Sequence, residues 1–258
     1  MVKGLDVFRE YFAGHTDQFV LIGGTAATLA MEEVGLEFRA TKDLDIVLHI
    51  EALSRSFGEV FWSFIEAGCY EIRQASGSGK PVYYRFQKPA DEHFPVMLEL
   101  FCRAPKGIDL AEGSHLTPIP IDEAAASLSA ILLDDGYYEF ILAGRKQVAG
   151  LPWIGEDRLI PLKASAWLDL GERQAKGWHV DSKNIRKHAN DALRLSQLLA
   201  PDVRMQVAPR IEQDLQRFLD GIEADRSLDP KSLGINGSVA ELVQRIAQAY
   251  GLIRRRAT

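Results

Sequence analysis

The chain has 258 residues, 47% apolar and 26% charged, which is enough material for a buried core and for two domains. Its formal net charge of −6 argues against a dedicated tight nucleic-acid binder, though not against a local basic face. No apolar run approaches the ~20 residues of a membrane span, and the N-terminus lacks the apolar core of a signal peptide.

Taken in order, Leu5, Phe8, Tyr11 and Phe12 recur at helical spacing. Thr16-Asp17 punctuates, and Phe19-Val20-Leu21-Ile22 reads as a short strand. Gly23-Gly24-Thr25 breaks that run, and residues 26–33 are strong helix formers. Residues 39–48 read as a second strand, opening on Asp43 and Asp45. Residues 51–68 are amphipathic and helical, with Gly68 as the stop. Residues 75–81 form a turn-rich loop. Its Gly-Ser-Gly-Lys lacks the first glycine of a phosphate loop and runs into Pro81, so it is given no phosphate role.

Residues 82–86 and 95–101 are further strands, the second apolar except for Glu99. Between 119 and 154 the pattern predicts a short Ala/Ser/Leu helix. Two strands, 137–143 and 146–151, follow, turning at Gly144-Arg145. From Gly155 onward the periodicity is helical, over 157–176, 181–199, 209–224 and 238–253. Asp181-Ser182 caps the second of these. Cys69 and Cys102 are far apart in apolar contexts and read as reduced, buried thiols of a cytoplasmic protein, with no zinc spacing. The Arg254-Arg255-Arg256 tail reads as a solvated end.

Chemistry enters through the acids. Alternate residues of a strand share a face, so Asp43 and Asp45 stand together, roughly 7 Å apart, while Leu44 points the other way. Two anions that close repel each other unless a cation joins them. Mg2+ takes one or two carboxylates together with phosphate oxygens. Glu99, a lone charge in an apolar strand, is the natural third ligand, because an unpaired carboxylate in a core is costly. Pairing with an arginine is its plainer reading. The Gly-Gly turn opening a helix offers bare backbone N–H groups to phosphates.

Gly23-Gly24-Thr25-Ala26 with Arg39-x-Thr41-x-Asp43-Leu44-Asp45 resembles the nucleotidyltransferase superfamily of the DNA polymerase β type, and more particularly the AbiEii-type nucleotidyltransferase toxins. The resemblance extends to Lys163 and to Lys187-His188-Ala189-Asn190-Asp191, and so spans residues 19 to about 200. It implies that Asp43, Asp45 and Glu99 bind two Mg2+ ions, with Glu99 alternatively helping to deprotonate the acceptor. It implies that Gly23, Gly24 and Thr25 hold the phosphates of an NTP, that Lys163 contacts the triphosphate, and that Asp191 orients Lys163 or the nucleotide. Thr25 stands where the wider superfamily has serine, and Lys-His-x-x-Asp replaces Arg-Asp-x-x-Asp. From the residues alone, Lys163 also reads as a snorkelling surface lysine, and Asp191 and His188, three apart on a helix, as a bonded pair. Arg173, Lys176, Lys183, Arg186, Lys187 and Arg194 cluster over two helices and could steer an RNA acceptor.

The expectation is therefore an α+β chain. A nucleotidyltransferase-type mixed sheet with flanking helices (1–155) is followed by a C-terminal helical domain (156–258) that closes the cleft. The expected reaction is Mg2+-dependent transfer of NMP from an NTP to an acceptor hydroxyl. The resemblance implies a toxin of a toxin–antitoxin or phage-defence pair, with RNA such as tRNA as acceptor and an antitoxin protein as partner. The alternatives are a small-molecule, antibiotic-type nucleotidyltransferase and a catalytically silent binding module on the same fold.

Overall fold

Four consecutive apolar residues form strand β1 (Phe19–Ile22), buried along its whole length. The structure, a computed structural model, describes residues 2–72, 83–101 and 134–253. Among these, β1 is joined by β2 (Asp43–Leu48), β3 (Glu71–Ile72), β4 (Tyr83–Gln87), β5 (Met97–Phe101), β6 (Arg145–Val148) and β7 (Leu151–Ile154) in one sheet, ordered β3-β4-β5-β2-β1-β7-β6. The sheet is mixed: β2 runs parallel to β5 and β1 to β7, and the other neighbours are antiparallel. β2 is the central strand and β5 is paired on both sides, which is why both are apolar runs interrupted only by acids.

The two faces of this sheet differ. Phe19 sits opposite Leu48, Leu21 opposite Ile46, Leu44 opposite Leu98 and Leu98 opposite Phe86, and ladder partners share a face. That face is covered by aromatic rings from α1 (Leu5–Tyr11) and α3 (Arg55–Ala67). Phe8 stacks on Phe12 at 4.4 Å between centroids, Phe64 meets Phe8 edge-on at 5.7 Å, and Phe61 meets Phe86 at 5.2 Å. Such pairs add about 0.5–1.5 kcal/mol each beyond their buried area. The opposite face carries Asp43, Asp45, Glu99 and Arg85.

Three local expectations are corrected. Residues 137–143 are not a strand but part of helix α4 (Asp135–Ala143). Tyr137, Tyr138 and Ile141 favour strands by type, yet their spacing places all three on one buried helical side, and Asp134 caps the start through Tyr137 N–H. The hairpin turns at Ala149-Gly150 and not at Gly144-Arg145. Both turn residues have positive φ, 49° and 79°, as a two-residue hairpin turn needs. Cys69 is exposed, not buried, because it takes the left-handed position (φ 49°) that ends α3. Gly68 is there for packing: a Cβ would stand 2.5 Å from the Tyr70 ring. Cys102, the 75–81 loop, the Ala/Ser/Leu helix and the arginine tail lie outside the described residues.

The chain divides into two units at Gly155/Glu156, except that Asp134–Phe140 groups with the second. This second unit holds α5 (Glu156–Ala175), α6 (Ser182–Leu195), α7 (Pro209–Ala224) and α8 (Val239–Ala249). Pro161 lies inside α5, so Asp157 C=O has no N–H to accept from four residues on. The Tyr250 hydroxyl donates to that carbonyl at 2.8 Å instead. Tyr137, Ser165 and Arg210 all donate to the buried Asp214 carboxylate, at 3.0, 3.3 and 3.2 Å. No helix among the described residues is long and apolar enough to cross a membrane.

Candidate active site

The site begins with strand register. β2 and β5 run parallel with Asp45 opposite Glu99 and Asp43 opposite Met97. β4 and β5 run antiparallel with Arg85 opposite Glu99. Arg85, Glu99 and Asp45 therefore form one row across three strands, on one face, with Asp43 a single step along β2. Asp43 and Asp45 are half-buried, and Glu99 is 8% exposed.

The Gly-Gly turn closes on this row. Asp45 is the ladder partner of Ile22, the last residue of β1, so the next residue, Gly23, meets its carboxylate. A Cβ on Gly23 would overlap that carboxylate, and Gly23 has φ +65°, the left-handed region where glycine carries no steric cost. Helix α2 (Gly23–Glu33) then starts with no side-chain cap hydrogen bond on its first-turn N–H groups. At Gly24 an added Cβ would lie 2.5 Å from Thr41 Oγ1 and 3.7 Å from an Arg39 guanidinium nitrogen. Arg39 and Thr41 thus sit against the start of α2. The Arg-x-Thr-x-Asp-x-Asp spacing carried that signal, but it named only the aspartates.

Thr25 is fully buried, and its hydroxyl donates to the Asp43 carbonyl at 2.8 Å, fastening α2 to β2. The hydroxyl is spent on that bond, which leaves the Thr25 backbone N–H in the first turn of α2. Gly23 and Gly24 keep their place at the helix start, and Arg39 is the neighbouring cation that the sequence reading left out.

Glu99 is engaged. Arg85 Nε and Nη2 donate to Glu99 Oε1 at 2.8 and 2.6 Å. The guanidinium thus meets the cost of burying the carboxylate. The strand 82–86 contained that arginine, but only the β4–β5 register showed which acid it faces. As to the expected Mg2+, Asp43 and Asp45 are donors of the right chemistry for one hard cation that also binds phosphate. Among the described residues no three Asp, Glu, His or Cys side chains converge closely enough to hold a metal. The three-acid, two-ion arrangement is therefore not assembled while Arg85 holds Glu99.

In the helical unit, Lys163 is not a snorkelling surface lysine. It is 6% exposed, and its Nζ lies 3.0 Å from Oδ2 of Asp191, which is 1% exposed. Lys163 and Asp191 thus form a buried ion pair. Comparison of the chain with protein-family models, with curated proteins and with solved structures finds no match.

Proposed function

We propose that the chain is a Mg2+-dependent nucleotidyltransferase of the AbiEii kind, moving NMP from an NTP to an acceptor hydroxyl. One observation carries this reading: Asp45 and Glu99 are ladder partners, Asp43 shares their face, and the Gly23 bend abuts Asp45. Three carboxylates on one face of the sheet, one of them held by Arg85, stand beside a helix start that has no side-chain cap.

In this reading the N–H groups at the start of α2 and the Arg39 guanidinium receive the triphosphate. Asp43 and Asp45 hold the divalent ion. When bound, the ion offsets charge on the phosphates and lowers the pKa of a coordinated oxygen. Glu99, once Arg85 turns to the phosphates, accepts the acceptor's proton. The acceptor oxygen bonds to the α-phosphorus, the bond to the β-phosphate oxygen breaks, and pyrophosphate leaves. The protein supplies position and electrostatics. An RNA such as tRNA is the acceptor proposed, in a toxin whose partner is an antitoxin protein.

The Arg85–Glu99 pair favours one second reading, a catalytically silent nucleotide-binding fold. The protein is incubated with each of four labelled triphosphates, Mg2+ and total cell RNA. Label on RNA with wild type, and none with Asp45→Asn, supports the enzyme. Mg2+-dependent nucleotide binding with no transfer to RNA or to small hydroxylated compounds supports the silent reading. Transfer retained by purified Asp45→Asn refutes the site.

A further inference from the structure

The turn between α5 and α6 exposes Trp178, with 59% of its surface open. The indole is not on a floppy loop. Gly177 takes φ +83°, Trp178 N–H donates to Arg173 C=O at 3.0 Å, and Gln174 Nε2 donates to Val180 C=O at 3.1 Å and Ser182 Oγ at 2.9 Å. Arg173 stands 5.7 Å from the ring centroid and is itself fixed by Asp169, Nε to Oδ2 2.7 Å. The ring is thus held by its backbone, with a guanidinium beside it and most of its surface free.

The flanking sequence is basic. Residues 173–194 contain six lysines and arginines against two aspartates, in a chain of net charge −6. Lys183, Arg186, Lys187 and Arg194 fall at helical spacing along one side of α6, and Lys176 lies two residues before the indole. Three acids in and beside this stretch have partners of their own. Glu172 pairs with Arg217 at 2.5 Å, Asp181 caps α6 through Lys183 N–H at 2.9 Å, and Asp191 is buried against Lys163. Arg186 reaches Ser227 Oγ at 3.1 Å and also feels Asp225.

We infer that this surface binds single-stranded RNA, with Trp178 stacking on a base and Lys176, Lys183 and Lys187 neutralising phosphates. An exposed aromatic among cations is the arrangement by which proteins hold a strand without reading its sequence. The choice of RNA rests on the nucleotidyltransferase reading and its acceptor. The binding itself does not, and it is measured on the Asp45→Asn protein without NTP, so that failed transfer and failed binding are read separately.

The probe is fluorescent oligouridine, followed by anisotropy over a salt series from about 50 mM upward. Trp178→Ala is expected to weaken binding about 5- to 150-fold with the salt slope unchanged, and Trp178→Phe to keep most of the affinity. Lys183→Gln with Lys187→Gln should lower the slope by about 1.4, at ~0.7 per phosphate contact on a single strand. All these positions are exposed, and circular dichroism confirms the fold. Oligothymidine binding alongside oligouridine keeps the inference; oligothymidine binding alone overturns it. So do Trp178→Ala binding like the parent, no binding at low salt, or equal affinity for polyphosphate. Equal affinity for polyglutamate overturns it in favour of an acidic protein partner.

Discussion

The sheet unit and the helical unit arrange their acids differently. In the helical unit each buried acid stands against partners of its own: Asp191 against Lys163, and Asp214 against Arg210, Tyr137 and Ser165. In the sheet unit three carboxylates, Asp43, Asp45 and Glu99, are gathered on one face, two of them in direct register. Distributed pairs are what folding stability selects, since an unpaired buried charge is costly. Carboxylates gathered on one face repel one another unless cations stand among them, as Arg85 does at Glu99.

Substitutions sharpen that contrast. The largest expected effect is in the helical unit. Lys163→Met leaves Asp191 buried without its cation and should cost about 3–5 kcal/mol in urea unfolding. Lys163→Met with Asp191→Leu should recover most of it. A single-variant loss below about 1 kcal/mol would break the comparison on this side. In the sheet unit the signature is reversed. Asp45→Asn should lower transfer about 10²- to 10³-fold or more, while stability changes by less than about 1 kcal/mol. A large loss of stability with activity kept would make Asp45 structural.

A smaller effect tests the pairing rule on a neutral group. Tyr250→Phe removes the hydroxyl that serves Asp157 C=O and should cost about 1–3 kcal/mol. Adding Pro161→Ala restores a backbone N–H to that carbonyl and should return part of the loss. If the two changes are simply additive in unfolding experiments, the carbonyl is not the link.

The smallest effect is in acid. Arg217's hydrogen bond holds the Glu172 carboxyl below its ordinary value, Ser227's hydroxyl does so for Asp225, and Ser238's backbone N–H for Glu241. A depressed folded-state pKa contributes stability that is present above the unfolded value, about 4, and lost as pH falls through the folded one. Thermal stability should therefore decline below about pH 4, and Glu241→Gln should flatten part of that decline. Glu172 and Arg217 are both exposed, so added salt should shrink the effect of their pair.

Much of the scaffold was legible. β1, β2 and β5 are apolar runs bounded by turn residues, and α5 to α8 carry clean helical periodicity with recognisable caps at Asp181 and Ser238. The segment 137–151 was not, because Tyr137, Tyr138 and Ile141 fit both a strand by residue type and a helix by spacing, and packing decided between them. Ala149 at φ +49° left no signal, since alanine is rarely left-handed. That the Thr25 hydroxyl is spent on the Asp43 carbonyl was not legible either, because the contact joins residues 18 positions apart.

The amino-acid order alone determined that Asp43 and Asp45 share a face and that a helix starts at the Gly-Gly bend, because strand period and glycine's φ freedom are local properties. Which residue faces Asp45, which cation holds Glu99, and that Lys163 is buried on Asp191 were decided only by the tertiary structure. Register and pairing join residues from 14 to 54 positions apart. They are set by the summed packing of whole strands and helices, which no local stretch of sequence encodes.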